Sequence, residues 1–84
     1  MNHIKAIYDN GGKTFDRYTV IYNSHDESYD KQFWDCRCMS EHPAHPQGIG
    51  TYGTCMLGRH LGNKITFEEL PDEVKEVVLR DLEV

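Results

Sequence analysis

Asn10-Gly11, set between two runs of β-branched and aromatic residues, constrains the fold of this chain more than any other feature. HIKAIY (3–8) and DRYTVIY (16–22) flank Asp9-Asn10-Gly11-Gly12. Asn and Gly both tolerate positive φ, and such a pair between two strand-forming runs predicts a β-hairpin. NSHDESYD (23–30) is polar and reads as a loop, and QFWDCRCM (32–39) follows as a third strand in a meander. Ile65 to Phe67 reads as a short fourth strand. The C-terminal end has a different period. Leu70-Pro71-Asp72-Glu73 puts proline at the first helical position and acids in the first turn, where the helix dipole favours negative charge. Val74, Val77, Val78 and Leu82 recur at helical spacing, with Lys75, Glu76, Arg80 and Glu83 on the other side. The expected fold class is α+β: an antiparallel three- to four-stranded sheet, a long ordered loop, and one C-terminal amphipathic helix packed on one face. Residues 1–84 form a single domain.

At 84 residues the core must be thin, because a chain of this size buries only about 60% of its unfolded surface. No apolar run approaches the roughly 20 residues that span a bilayer. The N-terminus turns polar too early for a signal peptide, so a cytoplasmic protein is expected. Three cysteines are an odd number for a secreted disulfide framework and fit free thiols in a reducing compartment. The net charge of −5 is not spread evenly: residues 1–66 hold seven acids and seven bases, and residues 67–84 hold seven acids against Lys75 and Arg80. An acidic end on a neutral body argues against direct nucleic-acid binding, which uses basic patches. It is compatible with docking on a basic protein surface, although a solvated helix face that aids solubility is the commoner role of such charge.

Period-2 alternation sorts the third strand. Trp34, Cys36 and Cys38 share one side; Phe33, Asp35, Arg37 and Met39 share the other. The charged pair marks the second side as the wetter one, which places both cysteines on the core side beside Trp34. Residues 40–64 show no regular period, and a segment of that length is unusual in a compact domain unless it has a function. Met39, Ile49, Tyr52, Met56, Leu57 and Leu61 are available to anchor it, and Gly48, Gly50 and Gly53 are expected to turn Tyr52 inward.

The run from Cys36 to His60 holds every cysteine and three of the five histidines, residue types that bind soft metals and act as nucleophile or base. The candidate zinc ligands are Cys36, Cys38, His42, His45, Cys55 and His60. Cys36-Arg37-Cys38 has one intervening residue, whereas structural zinc pairs usually have two or more. Buried free cysteine more often packs as a small hydrophobe. Cys55 with His60 is the best thiol–base pairing, but no third group is in place to orient the base. His42-Pro43-Ala44-His45-Pro46-Gln47-Gly48 contains two X-Pro units, each biasing the preceding residue to extended geometry, and reads as a rigid rim. The glycine-rich part lacks the lysine and Ser/Thr of a phosphate loop.

IYDNGGKTFDRYTVIY, MSEHPAHPQGIGTYG and GRHLGNKITFEELPDEVKEVV resemble, in that order, a family of short, mostly uncharacterised proteins from phages, plasmids and their bacterial hosts. Those proteins carry a YDNGG hairpin, a serine–proline–glutamine–glycine stretch, and an HLG segment before an F-E-[ED]-L-P helix start. The resemblance covers most of the chain and leaves out Cys36, Cys38 and Cys55. It implies no catalytic residue and no cofactor. What it implies is context: small acidic proteins of mobile elements include inhibitors of host defence, such as anti-CRISPR proteins, that occupy a nucleic-acid-binding surface of the effector.

The expectation is therefore a non-enzymatic binding protein that occludes a basic protein surface of a host defence complex. Its contact residues are expected to be His45, Gln47, Tyr52, Arg59 and His60 of the loop, with Asp72, Glu73 and Glu76 of the helix. The alternative is a zinc-stabilised interaction module built on residues 36–60.

Overall fold

A computed structural model describes residues 3–24, 32–48 and 50–83. Among the described residues five strands form one antiparallel sheet: β1 (Ile4–Asp9), β2 (Tyr18–Tyr22), β3 (Trp34–Met39), β4 (Gly50–Cys55) and β5 (Asn63–Ile65). Their spatial order is β4-β3-β2-β1-β5. One α-helix among the described residues, α1 (Asp72–Leu82), follows the strands. The α+β class is as the sequence predicts, with one more strand than expected. The extra strand is β4, which lies inside the stretch that shows no period. Most of the polar loop expected at 23–30, and Ile49, lie outside the described residues.

The hairpin forms, but not around a two-residue turn. β1 ends at Asp9 and β2 starts at Tyr18, and the N–H of Asn10 donates to the Arg17 carbonyl at 3.0 Å to close the loop between them. Side chains build this loop. Asp9 Oδ1 accepts from the Gly11 N–H at 2.8 Å, and Asn10 Oδ1 accepts from Gly12 at 2.8 Å and Lys13 at 3.1 Å. These bonds mimic backbone turns, with Gly11 and Gly12 at φ of 76° and 86°, where glycine has no Cβ to clash.

The helix-side core follows the valine stripe. Val74 and Val78 are fully buried against Ile7, Tyr18, Val20, Tyr22 and Met39, and Val77 and Leu82 pack at its margin. Pro71 sits at the N-cap and Asp72 opens the helix, one residue later than proline at the first helical position would place it. Before it, residues 67–69 form a 3-10 turn where a fourth strand was expected to end. β5 instead occupies residues 63–65 and pairs with β1 through Ile7↔Ile65.

Alternation along β3 holds and Cys36 lies in a packed cluster beside Trp34 as expected, but the face expected to be the wetter one is also buried, under the helix. Met39 is fully buried under α1, and Arg37 on the same side reaches Asp81 of the helix. Trp34, Cys36 and Cys38 face the side of the sheet without the helix. Cys36 is nonetheless 2% exposed, because Ala6, Tyr8 and Ile21 form a second, smaller cluster there, bordered by Leu61 from the β4–β5 connection. The charged pair was a poor marker of wetness because the charge of Arg37 has a partner inside the fold.

Tyr22 ties the two layers at the end of α1. Its hydroxyl donates to the Asp81 carboxylate, and burial followed by that hydrogen bond raises its phenol above the ordinary tyrosine range. A raised folded-state value contributes stability that is complete below the unfolded value near 10 and is lost as pH rises past it. Tyr22→Phe is therefore expected to flatten the alkaline limb. Above pH ~10 the slope of unfolding free energy, followed by urea titration, should fall by about 1.4 kcal/mol per pH unit.

Candidate functional site

Two distant segments meet at one end of the sheet. The β1–β2 loop and the chain after β3 enclose a cleft of about 560 Å³, with Lys13, Phe15, Arg17, Glu41, His45 and Gln47 among its walls. Arg17 joins them. Its guanidinium holds Asp9 through two hydrogen bonds of 2.7 and 3.0 Å and reaches Glu41 with its remaining nitrogen. The Arg17 hydrogen bond, against the opposing effect of burial, holds the Asp9 carboxyl below its ordinary value. Phe15 is 61% exposed at the mouth.

The His42–Gly48 segment, expected to be a rigid rim, folds as two consecutive turns. The His45 N–H donates to the His42 carbonyl at 3.1 Å, and Gly48 to the His45 carbonyl at 2.7 Å. The Gln47 N–H donates to His45 Nδ1 at 3.1 Å, which makes that nitrogen an acceptor. The backbone passes so close on itself that a Cβ on Gly48 would collide with the His42 carbonyl. His42 Nδ1 stands 3.5 Å from Glu73 Oε1, linking this rim to the start of α1. The other Glu73 oxygen is buried and has no hydrogen-bond partner among the described residues.

The exposed side of α1 and the turn before it carries the acidic charge. Asp72, Glu76 and Glu83 are exposed, as are Glu68 and Glu69 ahead of the helix. Leu79, 42% exposed, lies among them with Arg80. Lys75 is drawn to Glu68 at 4.0 Å and lies over the Phe67 ring at 5.9 Å, so it offsets Glu68 in the turn before the helix.

The expected contact residues fall into separate places. His45 and Gln47 line the cleft, and Glu73 meets its rim through His42. Asp72 and Glu76 are exposed on the helix. Tyr52 does not turn inward: it is 53% exposed on β4, stacked on Tyr22 at 6.2 Å between ring centres and lying under Arg37 at 5.1 Å. Arg59 and His60 form an exposed 3-10 turn in the connection from β4 to β5, which sit at opposite edges of the sheet. Met56 and Leu57, offered as anchors, are exposed. Loop and helix thus do not make one continuous patch; the cleft rim meets the start of the helix through His42 and Glu73. Sequence reasoning missed Phe15, Lys13 and Arg17 as companions of His45, since they lie about thirty positions away.

The candidate zinc ligands are also dispersed. Cys36, Cys38 and Cys55 lie on the helix-free face by strand register, while His42 and His45 belong to the rim and His60 to the later turn. Among the described residues no group of three or more His, Cys, Asp and Glu is placed to hold a metal ion. No protein-family model, curated protein or solved structure matches this chain.

Proposed function

We propose that this is a small non-enzymatic binding protein that docks its acidic helix face and the adjoining cleft rim on a basic protein surface. The observation that carries this reading is the exposed strip of Asp72, Glu76 and Glu83 with Leu79 among them. An apolar side chain among three carboxylates, with Arg80 as the one base beside it, offers a contact point and long-range steering toward a basic partner. The three-segment resemblance to short phage and plasmid proteins makes a host defence complex the class of partner. Occlusion of a nucleic-acid-binding surface is then the mode of action, with carboxylates standing where phosphates would lie.

The test is an interference assay in bacteria that carry an active CRISPR complex and are challenged with a targeted phage. Expression of the protein should raise plaquing efficiency, and Asp72→Lys with Glu76→Lys should lower the effect at least about tenfold, since charge reversal at a steered interface acts first on the association rate. Both substituted positions are exposed, so circular dichroism should be unchanged. Protection that persists in the double variant would end the charge-mimic reading. Absence of protection by the unaltered protein against every complex type tried would end the defence-inhibitor reading.

A further inference from the structure

Three cations without carboxylate partners surround a second cleft, of about 670 Å³, at the β1–β5 edge of the sheet. Lys13 of the β1–β2 loop, Arg59 of the turn after β4, and Lys64 of β5 are among its walls. All three are exposed, and none forms an ion pair among the described residues. Asp9 is the one acid lining the cleft among those residues, and Arg17 already holds it through two hydrogen bonds. A chain with a formal net charge of −5 thus keeps three uncompensated positive charges around one opening. Lys64 pairs with Tyr8, which belongs to the apolar cluster on the helix-free face. Paired residues project to the same side of a sheet, so the sheet stands between Lys64 and α1.

Each cation is carried by ordered backbone. The Lys13 N–H donates to Asn10 Oδ1 at 3.1 Å, within the loop that side chains build. Arg59 opens the 3-10 turn Arg59–Leu61. The Leu61 N–H closes it on the Gly58 carbonyl at 3.2 Å, and the Gly62 N–H on the Arg59 carbonyl at 3.0 Å. Leu61 anchors the turn against the cluster that contains Tyr8. Gly62, at φ of 111°, brings the turn so near the end of β1 that a Cβ would lie 2.3 Å from the Asp9 carbonyl oxygen. Only glycine permits that approach, and it fixes the turn against the hairpin. Asn63, the register partner of Asp9, adds an exposed side-chain amide to the same wall. Like charges gathered without counter-charges repel one another, and an entering anion relieves that repulsion while gaining its own attraction.

We propose that this cleft binds the phosphate group of a small ligand, with Arg59, Lys13 and Lys64 as its charge partners and the Asn63 amide as a neutral donor. A phosphate monoester suits this set better than a carboxylate does. It carries a charge of about −1.5 to −2 and three acceptor oxygens, enough for several cations at once. The planar guanidinium of Arg59 offers paired donors to two of those oxygens, and the lysines act as point charges on either side. The site is separate from the acidic strip of α1, so it stands or falls independently of the docking of that strip on a protein partner.

The experiment is a titration of the isotope-labelled full chain with inorganic pyrophosphate at constant ionic strength, followed by amide NMR. It is repeated with a nucleoside diphosphate, and with sodium chloride in place of either. Saturable shifts are expected at residues 10–13 and 58–64, the segments that line the cleft. Tighter binding of the nucleoside diphosphate would assign the site to nucleotides, and equal binding would assign it to the free phosphate group. Arg59→Ala with Lys64→Ala should weaken binding at least about tenfold, the scale of losing hydrogen bonds to a charged group. Both positions are exposed, so circular dichroism should be unchanged. Arg80→Ala, which removes an exposed base of α1, should change affinity by less than about twofold, because solvent and salt screen a distant surface charge. Shifts that sodium chloride reproduces, shifts spread evenly over the chain, or an equal loss from Arg80→Ala would overturn the proposal. The pattern of shifts is read on the unaltered chain, so it decides the matter without the variants.

Discussion

Met39→Ala is expected to destabilise the fold by about 2–5 kcal/mol, the usual cost of truncating a fully buried long side chain with partial collapse of the space it leaves. Met39 has no exposed surface and packs with Tyr18, Val20, Val74 and Val78 at the junction of β3 and α1. Domains of this length have roughly 4–13 kcal/mol of total stability, so the loss would take a large share of it. Urea unfolding followed by circular dichroism gives the number. Met39→Leu keeps most of the volume and should cost under about 1.5 kcal/mol. The face of β3 named as wetter by its charges makes the opposite prediction: a solvent-facing methionine would change stability by no more than about 0.5 kcal/mol.

That contrast shows where the sequence stops being legible. Period-2 alternation separates Trp34, Cys36 and Cys38 from Arg37 and Met39, but parity alone does not say which side a helix will cover. Charge was the only local tiebreaker, and it failed because the acceptor for Arg37 is Asp81, 44 positions away. β4 was unreadable for a related reason. Gly50, Thr51, Gly53 and Thr54 carry no apolar alternation, and the strand exists because β3 offers it a partner through six consecutive register pairs. By contrast, the hairpin and α1 were legible because their signals are local: β-branched runs around Asn10-Gly11, and valines at helical spacing. The loop between β1 and β2 is longer than an Asn-Gly turn requires because the Asp9 and Asn10 carboxyl and amide oxygens bind the N–H groups that follow. The same limit applies to the candidate site. The turns from His42 to Gly48 follow from two X-Pro units close together in the sequence, while the cleft needed the long-range meeting of Arg17 with Glu41.

Asp81→Ala is expected to cost about 2–4 kcal/mol, below the 3–5 kcal/mol for breaking a fully buried pair because this pair keeps some solvent. Asp81 accepts Arg37 through two hydrogen bonds, Nε at 2.9 Å and Nη2 at 2.5 Å, and also accepts the Tyr22 hydroxyl. The side chains are 22% exposed for Arg37 and 15% for Asp81. Deleting the carboxylate therefore strands a guanidinium and a buried phenol together. The position matters as much as the pairing. Arg37 also reaches the Gly50 carbonyl at 3.3 Å and lies over Tyr52, so this one carboxylate couples the last turn of α1 to β2, β3 and β4. Amide hydrogen exchange should show the loss locally, as faster exchange in residues 79–83 and in β4, before urea unfolding shows it globally. Asp81→Asn retains an acceptor for Tyr22 and one for Arg37, and should lose about half as much. A double-mutant cycle with Arg37→Met isolates the pair. Methionine matches the length of the arginine stem and removes the stranded charge, so the double variant should be more stable than Asp81→Ala alone. A cost under about 1 kcal/mol for Asp81→Ala, with no local change in exchange, would make this an ordinary surface pair. The helix end would then be held by Val78 and Leu82 alone, and the exposed acidic strip beside it would rest on a hydrophobic hinge instead of an ionic one.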